Sequence, residues 1–247
     1  MVQKQHIERQ AQRPSLFKYI AEFIRFWIEL LKAFIFRKRY EVTTQGDSHP
    51  VLVIPGFMAN DLTTSPLREF IKKLGYSPYP WDLRRNYGDI SQLNILEKKI
   101  EELYAKHQTK VSLIGWSLGG VYARQLAKEK PHLIRQIITM GAPFAGIHQP
   151  NNAAPLYNLI NVHKPIAVGD KKWLVDLLSP APVPTTAIYS KQDGIVPWQV
   201  CMEQKEDDTH QNIEIKGGHF GLVRNPSVWL IVEDRLQYTA ETWIQAL

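Results

Sequence analysis

From about residue 50 onward, short apolar runs and longer helix-patterned segments take turns along the chain. VLVIPG (51–56) has the β-branched run and closing turn of a buried strand. SPLREFIKKLG (65–75) follows, with proline near its start and glycine past its end, as a helix would have. SPYPW (77–81) reads as a short strand or an extended loop. In ISQLNILEKKIEELYAKH (90–107), Leu93, Leu96, Ile100, Leu103 and Tyr104 share one helical face. KVSLIGW (110–116) is a strand and LGGVYARQLAKEK (118–130) the helix after it. IRQIITMGAP (134–143), TTAIYS (185–190) and NIEIKG (212–217) read as further strands, and a helical segment from Ser227 closes the chain. Strand–helix alternation of this kind implies mostly parallel strands with helices on both faces of one sheet.

Two stretches break the rhythm. Residues 144–183 are rich in Pro and Asn yet carry Leu156, Leu159, Ile160, Trp173, Leu174, Leu177 and Leu178. A structureless loop of that length would be unusual, so the segment is expected to be a cap or lid inserted in a domain spanning 46–247. The other stretch is an arm over residues 1–45. Residues 1–40 hold nine Lys/Arg against three Glu, which accounts for the whole net charge of +6 and leaves the remainder neutral. A nucleic-acid-binding body would carry a basic face of its own, so no nucleic-acid partner is expected.

Within the arm, Lys18, Glu22, Arg25, Glu29 and Lys32 recur at intervals of 4, 3, 4 and 3, which puts them on one narrow helical stripe. Their mostly alternating signs allow pairing along the helix. The rest of the helix is apolar, including Phe17, Ile20, Phe23, Trp27, Leu31 and Phe34, and Arg37-Lys38-Arg39 closes it. Five charges make a poor membrane span. So wide an apolar face calls for burial against the chain's own body, a second copy, or a membrane surface, with peripheral contact through residues 15–39 in the last case. On the membrane reading, removing residues 1–40 is expected to abolish vesicle binding and spare hydrolysis of a small soluble substrate. A single cysteine, Cys201, excludes an internal disulfide, and no Cys/His cluster has zinc spacing. With no secretory pattern at the start, a cytoplasmic protein, peripheral at the membrane if the arm binds there, is expected.

The densest chemical signal is Gly115-Trp116-Ser117-Leu118-Gly119, a G-x-S-x-G at a strand-to-helix junction. A sharp turn there exposes the serine, and the flanking glycines remove side chains that would collide across it. From Val51 to the C-terminus the chain resembles the α/β-hydrolases, close to the bacterial lipase and esterase branch. GWSLGG matches the nucleophile elbow, VIPGF the first strand-end loop, TMGAPFAG the strand and turn that follow, and SKQDGIVP and GGHFGL the acid and histidine loops.

The resemblance implies the chain order Ser, Asp, His, and so an α/β-hydrolase fold with Ser117, Asp193 and His219 as a triad. A hydroxyl needs a base to become a nucleophile, and His219, after two glycines past the last strand, suits that role better than His132, His148, His163 or His210. Asp193 would orient it; Asp-Gly is also a plain turn signal. The backbone amides of Phe57 and Leu118 would form the oxyanion hole, although many family members carry His-Gly where this chain has Pro55-Gly56. Trp116 and Trp198 are candidate pocket walls, and Arg84 and Arg85 are solvated or structural, or else line the pocket or contact a head group. The expected chemistry is hydrolysis of a small-molecule or lipid ester, without metal or organic cofactor. A thioesterase or acyltransferase would use the same triad, and an inactive hydrolase-like scaffold is the rival of another class.

Overall fold

The computed structural model describes residues 10–42, 45–160 and 176–243. Six parallel strands form one sheet: β1 (Pro50–Ile54), β2 (Ser77–Tyr79), β3 (Val111–Trp116), β4 (Ile134–Met140), β5 (Thr185–Tyr189) and β6 (His210–Glu214), in the order β2-β1-β3-β4-β5-β6. Each inner strand is apolar on both faces, as the runs in the sequence require. Leu52, Ile54, Leu113 and Ile137 face one way, against α3 (Gln92–His107) and α4 (Leu118–Glu129). Val51, Val53, Ile114 and Ile138 face the other, against α2 (Asp61–Lys73) and a late helix, Pro226–Leu236.

Helix α2 starts four residues before the expected position. Asn60 caps it by accepting from the amides of Leu62 and Thr63, so the helix begins ahead of its proline. Pro66 then sits inside the helix, and the Ser65 hydroxyl donates to the Leu62 carbonyl that proline's missing N–H leaves open. The closing segment is two helices rather than one, Pro226–Leu236 and Ala240–Trp243.

The chain leaves β1 towards β2 on one side and continues from β3 towards β4 on the other. The loops after β1 and β3 therefore diverge at their carboxyl ends, which opens a crevice at that switch point. The segment between β4 and β5 includes a short helix, α5 (Ala154–Ile160). Trp173 and Leu174, taken above as part of a cap, lie outside the described residues. Both feet of the segment meet Arg124 of α4. Its guanidinium lies 4.2 Å from the Phe144 ring centre and donates to the carbonyls of Leu177 (3.1 Å) and Ser179 (2.8 Å). Glu203 completes this buried cluster as the ion-pair partner.

The arm forms α1 (Leu16–Arg39), and its orientation reverses the usual amphipathic rule. The charged stripe faces the body. Glu22 and Glu29 are buried, the Lys18 ammonium donates to the Lys191 carbonyl (2.9 Å), and the Arg25 guanidinium donates to the Gln192 carbonyl (2.8 Å). The stripe thus bonds to loops of the body, where pairing along the helix was expected. The apolar face points outward: Phe17, Phe23 and Trp27 are 77%, 63% and 66% exposed, and nothing among the described residues covers them. Apolar side chains pack inward at the two ends of the helix, Tyr19 against the cluster around Val200 and, in and just past the last turn, Phe36 and Tyr40 against Phe70 and Trp229. Among the described residues, no helix is long and apolar enough to cross a membrane.

Candidate active site

Ser117 sits between the end of β3 and the first residue of α4 with φ 53° and ψ −123°, a left-handed conformation that costs a non-glycine residue energy. Packing holds the turn in place. A Cβ on Gly115 would come within 2.4 Å of Gly119 O and Gly120 Cα, and one on Gly119 within 2.3 Å of Ile54 O, so both positions demand glycine. The Ser117 amide donates to Met140 O (2.8 Å), which ties the turn to β4.

The loop after β1 comes close to this serine. A Cβ on Gly56 would lie 3.0 Å from the Ser117 Cβ. Phe57 is the next residue, and its ring tilts against Tyr157 of α5 at 5.1 Å. Leu118 opens α4, where an amide has no intrahelical acceptor. Sequence reading left open what braces the Pro55-Gly56 loop; the brace is Asn86. This buried side chain donates to Pro55 O (2.8 Å), while its backbone exchanges hydrogen bonds with Met58 and Ala59 (2.7 and 2.8 Å). Arg85 adds a bond to Met58 O (2.6 Å), which gives one of the two arginines a structural partner. Nothing local in the sequence marks a contact between residues 55 and 86.

Asp193 and His219, on the loops after β5 and β6, are both buried and meet through His219 Nδ1 and Asp193 Oδ2 at 2.6 Å. The other carboxylate oxygen, Oδ1, accepts from the amides of Ile195 and Val196, each at 2.8 Å. With the carboxylate ionised, Nδ1 carries the proton it shares with Asp193, and Nε2 keeps a lone pair. Burial opposes charging of the imidazole, but the charge and hydrogen bond of Asp193, with the charge of Glu22, raise its pKa above the usual 6.5. The Ser190 hydroxyl donates to Gly217 O (2.7 Å) and so links the two loops.

Both tryptophans have partners of their own in the structure. Trp116 is buried, its indole N–H donates to His219 O (3.1 Å), and its ring lies 5.7 Å from the imidazole; it braces the histidine loop beside Ser117. Trp198 stacks on Tyr189 at 5.6 Å with the Lys191 ammonium above it, so these neighbours occupy its ring. Cys201 is buried, and desolvation with the nearby Asp193 charge pushes its thiol pKa well up, as for an inert small hydrophobe. Of the other histidines, His210 bonds Ala181 O and Asp207 in a structural contact, and His163 lies outside the described residues. No group of three or more His, Cys, Asp or Glu suited to a metal ion occurs among the described residues.

The residues that sequence reading missed come from α1. Glu22 and Glu29 accept hydrogen bonds from backbone amides of the Asp193 and His219 loops. The signal was present in the spacing of the charged stripe, but such a stripe ordinarily faces water.

A family model described as alpha/beta hydrolase fold matches residues 74–159. No curated protein matches the sequence. Among solved structures, Aspergillus fumigatus lipase B superposes with a TM-score of 0.58 at 17% identity, covering 81% of this chain and 56% of the lipase. The chain therefore spans little more than half the length of that enzyme. A structure from work on two metagenome-derived lipolytic enzymes, LipS and LipT, gives a TM-score of 0.58 at 16% identity, covering 83% of this chain and 96% of the other. The thioesterase domain from the curacin biosynthetic pathway gives 0.55 at 15% identity, covering 78% and 92%. At these identities the likeness concerns the fold.

Proposed function

We propose, on the premise that this chain is an α/β-hydrolase by fold, that it is a serine hydrolase acting on carboxylic esters. The observation that carries the reading is the buried Asp193–His219 hydrogen bond at 2.6 Å, on loops beside a serine held at positive φ. Ser117 Oγ attacks the ester carbonyl while His219 Nε2 takes its proton. Asp193 stabilises the imidazolium that forms. The amides of Phe57 and Leu118 receive the oxyanion, each such donor contributing about 2.7–4 kcal/mol to barrier lowering. His219 then protonates the leaving alcohol, and an acyl-Ser117 remains. Water, activated by the same imidazole, releases the acid.

The test is a series of 4-nitrophenyl esters of increasing acyl length, with the acid product quantified in the presence and absence of a competing alcohol. Acid as the main product supports a hydrolase. Dominant transfer to the alcohol would make it an acyltransferase. Faster turnover of acyl thioesters than of matched esters would favour the thioesterase reading, which the curacin domain's fold likeness keeps in view.

The substrate class we favour is a lipid ester met at a membrane surface. Eleven large apolar side chains between Leu16 and Ile35 are exposed, with Arg37, Lys38 and Arg39 at the helix end. An interfacial helix has this composition: an aromatic and aliphatic face for the acyl boundary and a basic flank for anionic headgroups. The double substitution Phe23→Ser, Trp27→Ser is expected to reduce co-sedimentation with vesicles containing anionic phospholipid by about tenfold or more, as burial of each large side chain contributes roughly 1.5–3 kcal/mol. Hydrolysis of a soluble short-chain ester is expected to be unchanged, since both side chains point away from the body. A wild-type protein that ignores vesicles and sediments as a dimer would assign the face to a second copy instead.

A further inference from the structure

We propose that Glu22 of α1 is a positioning residue for His219 and Asp193, so that the N-terminal helix belongs to the catalytic apparatus as well as to the protein's surface. The inference rests on Ser117, His219 and Asp193 acting as the triad. Glu22 has no solvent-accessible surface. Its Oε1 accepts from the amides of Gly194 (2.7 Å) and His219 (2.9 Å), and its Oε2 from the amide of Phe220 (3.2 Å). Those three amides belong to the residue after the acid, to the base itself and to the residue after the base. A single carboxylate thus joins loops from two different strands at the positions flanking their functional side chains. Seven residues along the same stripe, Glu29 Oε1 accepts from the Gly218 amide (2.9 Å).

The glycines of both loops fit this helix. A Cβ on Gly218 would lie 2.6 Å from Glu22 Oε2, one on Gly221 would lie 1.0 Å from Glu29 Oε2, and one on Gly194 would lie 2.4 Å from Lys18 O. The residues that sequence reading takes as turn formers around Asp193 and His219 are also those that let α1 approach. Buried amides need acceptors, and among the described residues these four find theirs in the carboxylates of the arm. Charge-assisted bonds to a buried carboxylate are stiffer than water contacts, so they fix the His219 backbone and hence the reach of its ring. Removing residues 1–40 takes away these acceptors, so turnover of a soluble ester is expected to fall with vesicle binding, contrary to the expectation from sequence.

The test uses the full chain with 4-nitrophenyl acetate and a fluorophosphonate probe. In Glu22→Ala, kcat/KM and the labelling rate of Ser117 are both expected to fall by about 10- to 100-fold, the scale of a misplacement near 1 Å, with KM changed by less than about threefold and cooperative melting retained. Glu22→Gln keeps an oxygen acceptor for the Gly194 and His219 amides and restores most of the rate. It lacks the charge, so the midpoint of the acid limb of its pH profile moves to lower pH. The charges acting on His219 are Asp193 from the acid loop and Glu22 from α1, with Arg25 and Glu29 beside the preceding Gly218. Burial pushes Glu29 up to about 7, against the Gly218 bond and with the Glu22 charge, so the profile is measured in a Glu29→Gln background. Rate and labelling within twofold of wild type in Glu22→Ala would overturn the proposal. Should that variant fail to melt cooperatively, an unmoved acid limb in Glu22→Gln would overturn it instead. Failure of the triad is read separately, as continued labelling and turnover in Ser117→Ala.

Discussion

Replacing Ser117 by alanine is expected to lower ester hydrolysis by about 10⁴-fold or more and to abolish fluorophosphonate labelling, with the melting temperature nearly unchanged. The large effect follows, on the proposed mechanism, from loss of the oxygen that captures the acyl group. The small effect on stability follows from the way the turn is held. Its backbone is fixed by the Ser117 amide on Met140 O and by the glycines at 115 and 119, none of which involves the hydroxyl. Alanine meets the same steric cost at φ 53° as serine, so no strain is added or released. Residual turnover within tenfold of wild type, measured on the same ester, would remove Ser117 from the chemistry.

Asp193→Asn is expected to cost about 10⁴-fold in kcat, although the change is nearly isosteric. The reason lies in how the two carboxylate oxygens are used. Oδ1 accepts from the amides of Ile195 and Val196, so an asparagine must place its oxygen there. Its NH₂ then faces His219 Nδ1, which has to become an acceptor. The ring proton moves to Nε2, the atom that should receive the proton of Ser117. Loss of the negative charge also removes support for the imidazolium. Wild-type kcat/KM is expected to rise with pH through a midpoint above 6.5, because the proposed mechanism uses His219 as a neutral base and its folded pKa is raised. A kcat for Asp193→Asn within tenfold of wild type would assign the orienting role to another group.

The sheet was legible because its buried parallel strands are mostly apolar and their ends are marked by turns: Ile54 before Pro55-Gly56, Trp116 before Ser117, Tyr189 before the Asp193 loop. Ser117 stood out for the same local reason, since the turn that presents it needs small residues two positions to either side. The hydrogen bond between Asp193 and His219 joins loops that chain order alone set after the fifth and sixth strands. What was not legible depends on contacts distant in sequence. Asn86 reaches Pro55 across 31 positions, and Glu22 reaches His219 across 197. Amphipathic reasoning sends a charged stripe to water unless buried amides wait for it, and nothing in the loop sequences announces that four amides do. Gly217 and Gly218 were read only as the two glycines before His219; with Gly221 they also make room for carboxylates.

Arg124 touches the insertion at both of its feet, through the Phe144 ring on departure and the carbonyls of Leu177 and Ser179 on return. The insertion is held elsewhere too: the Asn152 side chain donates to Gly194 O (2.6 Å), beside Asp193, and Tyr157 packs on Phe57 at 5.1 Å. A change of composition around Asn152 or Tyr157 would therefore be felt at the acid loop and the loop after β1, so this part of the roof and the loops beneath it are coupled.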